Sequence, residues 1–113
     1  MLKIYHNPRC SKSRQTLQLI NDAKAEVEII EYLKDIPTVS ELKGLFIKLG
    51  VEASQIIRKG EPAFKENFKG KTLTNDEWIN AMIEFPKLIE RPIVVKGDKA
   101  VLGRPPENVL ELI

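Results

Sequence analysis

The stretch "LKIYHNPRCSKSRQTLQLI", residues 2–20, limits the possible fold more than any other, because two different periodicities meet inside it. Residues 2–6 alternate apolar and polar, as a strand does. After Pro8 the pattern changes, and Leu17, Ile20 and Lys24 recur at helical spacing. "VEIIEYL", residues 27–33, reads as a second strand, so the chain opens with a β-α-β unit.

The other end returns to strand character. "PIVV", residues 92–95, is a continuous apolar run of the kind buried in a sheet, and "KGDKAVLG" follows with Gly97-Asp98 as a two-residue hairpin turn. These two strands are therefore expected as antiparallel neighbours. In "RPPENVLELI" the prolines stand where a helix can begin, with Val109, Leu110 and Ile113 on its apolar side.

Between these ends the chain is helical. Thr38-Val-Ser-Glu41 and Thr74-Asn-Asp-Glu77 both fit the capping box, in which a hydroxyl and a carboxylate satisfy each other's neighbouring backbone donors. Leu42, Leu45, Phe46 and Leu49 form an apolar face that stops at Gly50, and Trp78, Ala81, Met82 and Phe85 form another that stops at Pro86. Residues 51–73 are less periodic and suggest short helices and loops. The predicted fold is α/β and thioredoxin-like: β-α-β, a helical insertion at about 38–86, then β-β-α, with a mixed four-stranded sheet. A chain of 113 residues, 42% of them hydrophobic, is expected to form a single domain over 1–113.

Charge and composition exclude several functions. A formal charge of +2 and a pI near 8.7 are too mild for a nucleic-acid binder, and no run of apolar residues is long enough to span a membrane. The single cysteine forbids an internal disulfide, and "MLKIYHNPRC" does not read as a secretory leader, so the expected compartment is the cytoplasm. The distribution of charge says more than its sum. Residues 1–21 carry Lys3, Arg9, Lys12 and Arg14 without one Asp or Glu, which concentrates positive charge around Cys10.

Cys10 falls where the first strand turns into the first helix. A helix N-terminus offers unpaired N–H groups and the positive end of the dipole, which lower a thiol pKa and also cradle an oxyanion. Free cysteines also serve as small buried hydrophobes, and local sequence leaves both readings open. His6 either acts on the thiol or an oxyanion, or only closes the strand. Sharper motifs fail. Ser13 stands where a C-x-x-C dithiol needs its second cysteine, and Thr16 stands where a cysteine phosphatase needs arginine. One Cys and one His cannot complete a structural zinc site, so no metal or bound cofactor is expected. An oxyanion substrate would need arginines delivered by the fold. Arg58, Arg91 and Arg104 occupy suggestive settings, although each alone reads better as a solvated side chain and spacing does not show that they converge. Arg91-Pro92, at a strand start, is a candidate cis peptide.

Four blocks in order, "KIYHNPRCSKSR", "IIRKGEP", "ERPIVV" and "GRPPENVLEL", resemble the glutaredoxin-linked arsenate reductases, a thioredoxin-fold family that also includes short paralogues and Spx-type regulators. The resemblance covers essentially the whole chain. It implies that Cys10 is the nucleophile, that Arg58, Arg91 and Arg104 bind the oxyanion, and that His6 favours the thiolate. Asn7, Ser13 and Arg14 match the loop and first helical turn around the thiol, where they would contact substrate. The implied reaction reduces arsenate to arsenite through a thiol-arsenate adduct, with glutathione as co-substrate and glutaredoxin as partner supplying the resolving thiols from outside the chain. Two other functions stay open: a glutathione-linked monothiol oxidoreductase acting on another substrate, and an Spx-like regulator that binds RNA polymerase, whose relatives commonly carry the C-x-x-C switch missing here.

Overall fold

Strand β1 (Leu2–His6) is an inner strand of a four-stranded sheet ordered β2-β1-β3-β4, with β2 at Val27–Glu31, β3 at Ile93–Lys96 and β4 at Lys99–Leu102. β1 runs parallel to β2 and antiparallel to β3, and β3 runs antiparallel to β4, so the sheet is mixed. The arrangement is the thioredoxin-like α/β fold expected from the order of elements. This computed structural model describes all residues from Met1 to Ile113 and falls into two units, Met1–Asp35 with Arg91–Ile113, and Ile36–Glu90.

In the first unit one face of the sheet builds the core. Leu2, Ile4 and Val94 pack with Ile20 of α1 (Ser11–Asp22) and with Val109 and Leu112 from the C-terminal segment. Burial of this apolar surface is the main favourable term holding α1 and the C-terminal segment against the strands. The hairpin is as predicted: Lys96 and Lys99 are paired, leaving Gly97-Asp98 as the turn, with Gly97 at φ 59.

Three local expectations shift. β2 ends at Glu31 rather than Leu33, because Lys34 and Asp35 both donate to the Glu31 carbonyl at 2.9 Å and turn the chain. α1 ends at Asp22, so Lys24, which fitted the helical spacing, lies just beyond it in a left-handed conformation at φ 56. The last segment, Pro106–Glu111, is a 3-10 helix rather than an α-helix. The Asn108 side chain donates to the carbonyls of Leu102 and Arg104, tying this short turn back to the end of β4.

The second unit is helical: α2 (Val39–Leu49), α3 (Pro62–Asn67) and α4 (Asn75–Glu84), with 3-10 turns at Ala53–Gln55 and Pro86–Leu88. The predicted caps are present. The Thr38 hydroxyl accepts the Glu41 N–H at 3.1 Å, and Thr74 and Glu77 form both halves of a capping box. α2 stops at Gly50, whose φ of 72 suits glycine. Leu42, Leu45, Phe46, Ile79 and Met82 are buried here, and Phe64 stacks on Trp78 at 5.9 Å between centroids. No helix of the chain is long and apolar enough to cross a membrane.

One close approach fixes the sheet end of the first unit. Gly103 donates to the Pro92 carbonyl at 2.9 Å and lies over Thr16 of α1, whose hydroxyl donates to the Lys12 carbonyl at 2.8 Å. A Cβ on Gly103 would fall 2.6 Å from Thr16 Oγ1 and 2.7 Å from Pro92 Cγ. Gly103→Ala is therefore expected to destabilise the protein by about 1–3 kcal/mol, read from the urea midpoint. An unchanged midpoint would show that Thr16 and Pro92 relax freely.

Candidate active site

Sheet register decides which side chains can reach Cys10. Tyr5 pairs with Ile93 and Ile93 pairs with Leu102, so the end of β1, the start of β3 and the end of β4 lie at one end of the sheet. Cys10 lies four residues beyond His6, the last residue of β1. Arg91 lies two residues before β3 and Arg104 two residues after β4. The antiparallel order thus brings residues far apart in sequence to the same end as the thiol. Both Arg91-Pro92 and Arg104-Pro105 are cis, the second not foreseen from sequence. The Arg104 guanidinium donates to the Arg91 carbonyl at 3.2 Å, which links the two arginine segments directly.

The loop between β1 and α1 is held by its own polar groups. Cys10 donates its N–H to the Asn7 carbonyl at 3.0 Å, and Arg9 donates its N–H to Asn7 Oδ1 at 3.0 Å. The Asn7 N–H in turn donates to Ser13 Oγ at 3.1 Å, and Arg14 Nη1 donates to the Pro8 carbonyl at 2.9 Å. Asn7, Ser13 and Arg14, which the family resemblance implies as substrate contacts, thus hold the loop. His6 and Ser13 are both buried, and His6 Nδ1 lies 2.6 Å from Ser13 Oγ.

Cys10 is the N-cap of α1, with extended backbone at φ −91 and ψ 123, and is partly exposed. Its sulfur makes no side-chain cap hydrogen bond, yet the local field favours its charged form. Burial pushes the thiol pKa up, but the N–H of Ser13, the hydrogen-bonding guanidinium of Arg91 and the N–H of Lys12 together hold it below its ordinary value. Two of these three influences are backbone groups of the first helical turn, whose contribution depends on helix geometry rather than residue type. His6 is held below its usual value, chiefly by burial, with Glu31 opposing and Arg14 reinforcing the shift.

Arg58 belongs to the second unit and has its own partners there. An isolated bridge pairs Ile57 with Ile89, and Arg58 donates its N–H to the Leu88 carbonyl at 2.8 Å. This sets the Arg58 guanidinium against Glu90 at 2.7 Å and Glu61 at 3.2 Å. Burial opposes the charge of Arg58, and the two carboxylates, Glu90 foremost, more than restore it. Sequence reasoning did not find either glutamate. Glu61 was open to view at three residues from Arg58, whereas Glu90 is brought there only by the pairing of the flanking segments.

Residues 5–112 match the model of the ArsC family. An arsenate reductase of Haemophilus influenzae is 44% identical over 112 residues, covering 97% of each chain. The uncharacterized protein YfgD of Escherichia coli is 46% identical over 114 residues, covering 99% of this chain and 96% of its own. Among solved structures, an arsenate reductase from Vibrio cholerae superposes with a TM-score of 0.93 at 47% identity, over 99% of this chain and 97% of that one.

The site geometry sets how the thiol titrates. The alkylation rate of Cys10 with iodoacetamide is expected to rise with a midpoint below the ordinary thiol value of about 8.5, and Arg91→Ala is expected to move that midpoint up. The linked stability has a definite sign. A thiol whose native pKa is depressed stabilises the fold fully above its unfolded pKa, and that contribution fades as pH falls through the native value. A midpoint unmoved by Arg91→Ala would remove Arg91 from the causes of activation.

Proposed function

This chain belongs to the ArsC family, and on that footing we propose that it reduces arsenate to arsenite, with Cys10 as nucleophile and glutathione and glutaredoxin as the external thiols. The observation that carries the reading is the thiol itself: a partly exposed N-cap cysteine whose charged form is favoured by Arg91 and by the first N–H groups of α1. Thiolate activation and oxyanion binding draw on the same positive groups.

In this reaction the Cys10 thiolate attacks arsenic, a sulfur–arsenic bond forms, and hydroxide leaves with a proton as water. Arg91 and Arg104 neutralise the oxyanion and the charge of the departing hydroxide. Arg58 is assigned to the same task on family resemblance, alongside its ion pairs with Glu61 and Glu90. Glutathione then replaces a second oxygen on arsenic. A glutaredoxin thiolate takes the glutathione sulfur as a mixed disulfide, the electron pair of the broken sulfur–arsenic bond stays on arsenic, and arsenic becomes trivalent. Water displaces Cys10 and arsenite departs. The scheme needs thiols from outside because Cys10 is the only cysteine of the chain.

Purified protein with arsenate, glutathione and glutaredoxin is expected to form arsenite, and Cys10→Ser is expected to form none. Omission of either external thiol should stop turnover. Arg91→Ala is expected to lower kcat by about 10²–10³-fold, the usual cost of removing one preorganised donor to a developing oxyanion. A folded protein that forms no arsenite with all components present would overturn the proposal.

A further inference from the structure

Arg58 enters the proposed reaction already engaged by two carboxylates. The Ile57–Ile89 bridge is flanked by two backbone hydrogen bonds, from the Arg58 N–H to the Leu88 carbonyl at 2.8 Å and from the Glu90 N–H to the Ile56 carbonyl at 3.0 Å. In this antiparallel pairing Arg58 stands opposite Leu88 and Glu90 is its diagonal neighbour, a separation that long side chains span. Arg58 Nη1 donates to Glu90 at 2.7 Å. Further along the chain, the Glu61 N–H closes a turn onto the Arg58 carbonyl at 3.3 Å, and the Glu61 carboxylate accepts from Arg58 Nε at 3.2 Å. All three residues belong to the second unit, and backbone hydrogen bonds hold each of them in place.

A guanidinium binds an oxyanion best through two parallel N–H donors, either Nε with Nη2 or Nη1 with Nη2. Glu61 holds one member of the first pair, and Glu90 holds one member of the second. The three side chains together bring two negative charges to one positive charge, a poor attractor for an anion. We propose that Glu90, assisted by Glu61, sets the oxyanion affinity of this chain by competing with the anion for Arg58. The ion-pair clamp is read from geometry within one unit. Its opposition to an oxyanion rests on the reaction proposed above.

Glu90 is the stronger competitor of the two. Its contact is the shorter, and where burial opposes the Arg58 charge, Glu90 restores more of it than Glu61 does. Both ion pairs are partly buried, so solvent and salt screen them less than they screen a surface pair. An arriving oxyanion must exchange one charge-assisted hydrogen bond at Arg58 for another. The net gain from Arg58 is therefore a small difference between two strong interactions, and the charge on Glu90 fixes its size. Glu90 acts on the anion through Arg58 and takes no part in the bond changes at Cys10.

The test reads anion binding apart from turnover. Without glutathione or glutaredoxin, inorganic arsenate should slow the alkylation of Cys10 by iodoacetamide, and the concentration giving half protection measures affinity. Glu90→Gln keeps an oxygen acceptor for Nη1 and removes only the charge. It is expected to lower the half-protecting arsenate concentration by about 3–30-fold, the range of coupling between neighbouring charged groups. In the arsenite-forming assay KM should fall by a similar factor with kcat changed by less than about twofold, the mark of altered binding rather than altered chemistry. Arg58→Ala should raise the half-protecting concentration, and adding Glu90→Gln to it should then change little, because the competition needs the arginine. If Glu90→Gln does not fold, Glu61→Gln, which frees Nε, carries the same expectation. Equal protection in native and Glu90→Gln proteins, no protection in either, or an undiminished gain in the Arg58→Ala background would each overturn the proposal. Stronger protection in Glu90→Gln without arsenite formation would sink the reductase reading and support the clamp. Normal arsenite formation with unchanged protection would sink the clamp alone.

Discussion

The short crossing from β1 to α1 is the constraint on which the site depends. A strand must end and a helix must begin within the four residues Asn7–Cys10, and the first N–H groups of the helix must remain available to the thiol. Hydrogen bonds to backbone and side-chain atoms of Asn7 and to Ser13 Oγ impose that geometry. The polar atoms of this loop therefore do structural work first. Without a fixed turn, the Ser13 and Lys12 amides would lose their aim at the sulfur, and the field that favours the thiolate would disperse.

The sheet solves the second problem, which is delivering charge from distant sequence. With β1 between β2 and β3, and β3 antiparallel to it, the residues preceding β3 must emerge beside the residues following β1. The hairpin reverses direction once more, so the residues following β4 emerge there too. Arg91 and Arg104 are thus placed by topology rather than by local sequence. The close packing of Gly103 on Thr16 and Pro92 holds these segments to α1, which couples the arginine positions to the helix that presents Cys10.

This division explains what could be read from the sequence. The succession of elements along the chain, the two capped helices, the Gly97-Asp98 turn and the helix-start position of Cys10 are encoded in periodicity and turn chemistry within a dozen residues, and the structure has them. Contacts between distant segments leave no such trace. Arg91 could be suspected, but its hydrogen bond to Cys10 depends on register, and Glu90 meets Arg58 only through the Ile57–Ile89 bridge. Thr16 was informative in the sequence only as the arginine it is not. Its buried methyl and hydroxyl under Gly103 became visible only once α1 and the end of β4 were packed together. The last helix differs in type from the expected α-helix because prolines signal a helix start equally well for α and 3-10 turns.

The balance of forces at Cys10 bears on how reactive such a thiol can be. Lowering a thiol pKa raises the fraction of thiolate but weakens its nucleophilicity, so the best attacking thiol titrates near ambient pH rather than far below it. At this site burial works against the N–H groups and Arg91, which restrains the depression. Stabilisation that grows with the reaction coordinate accelerates it, whereas stabilisation of the resting thiolate does not.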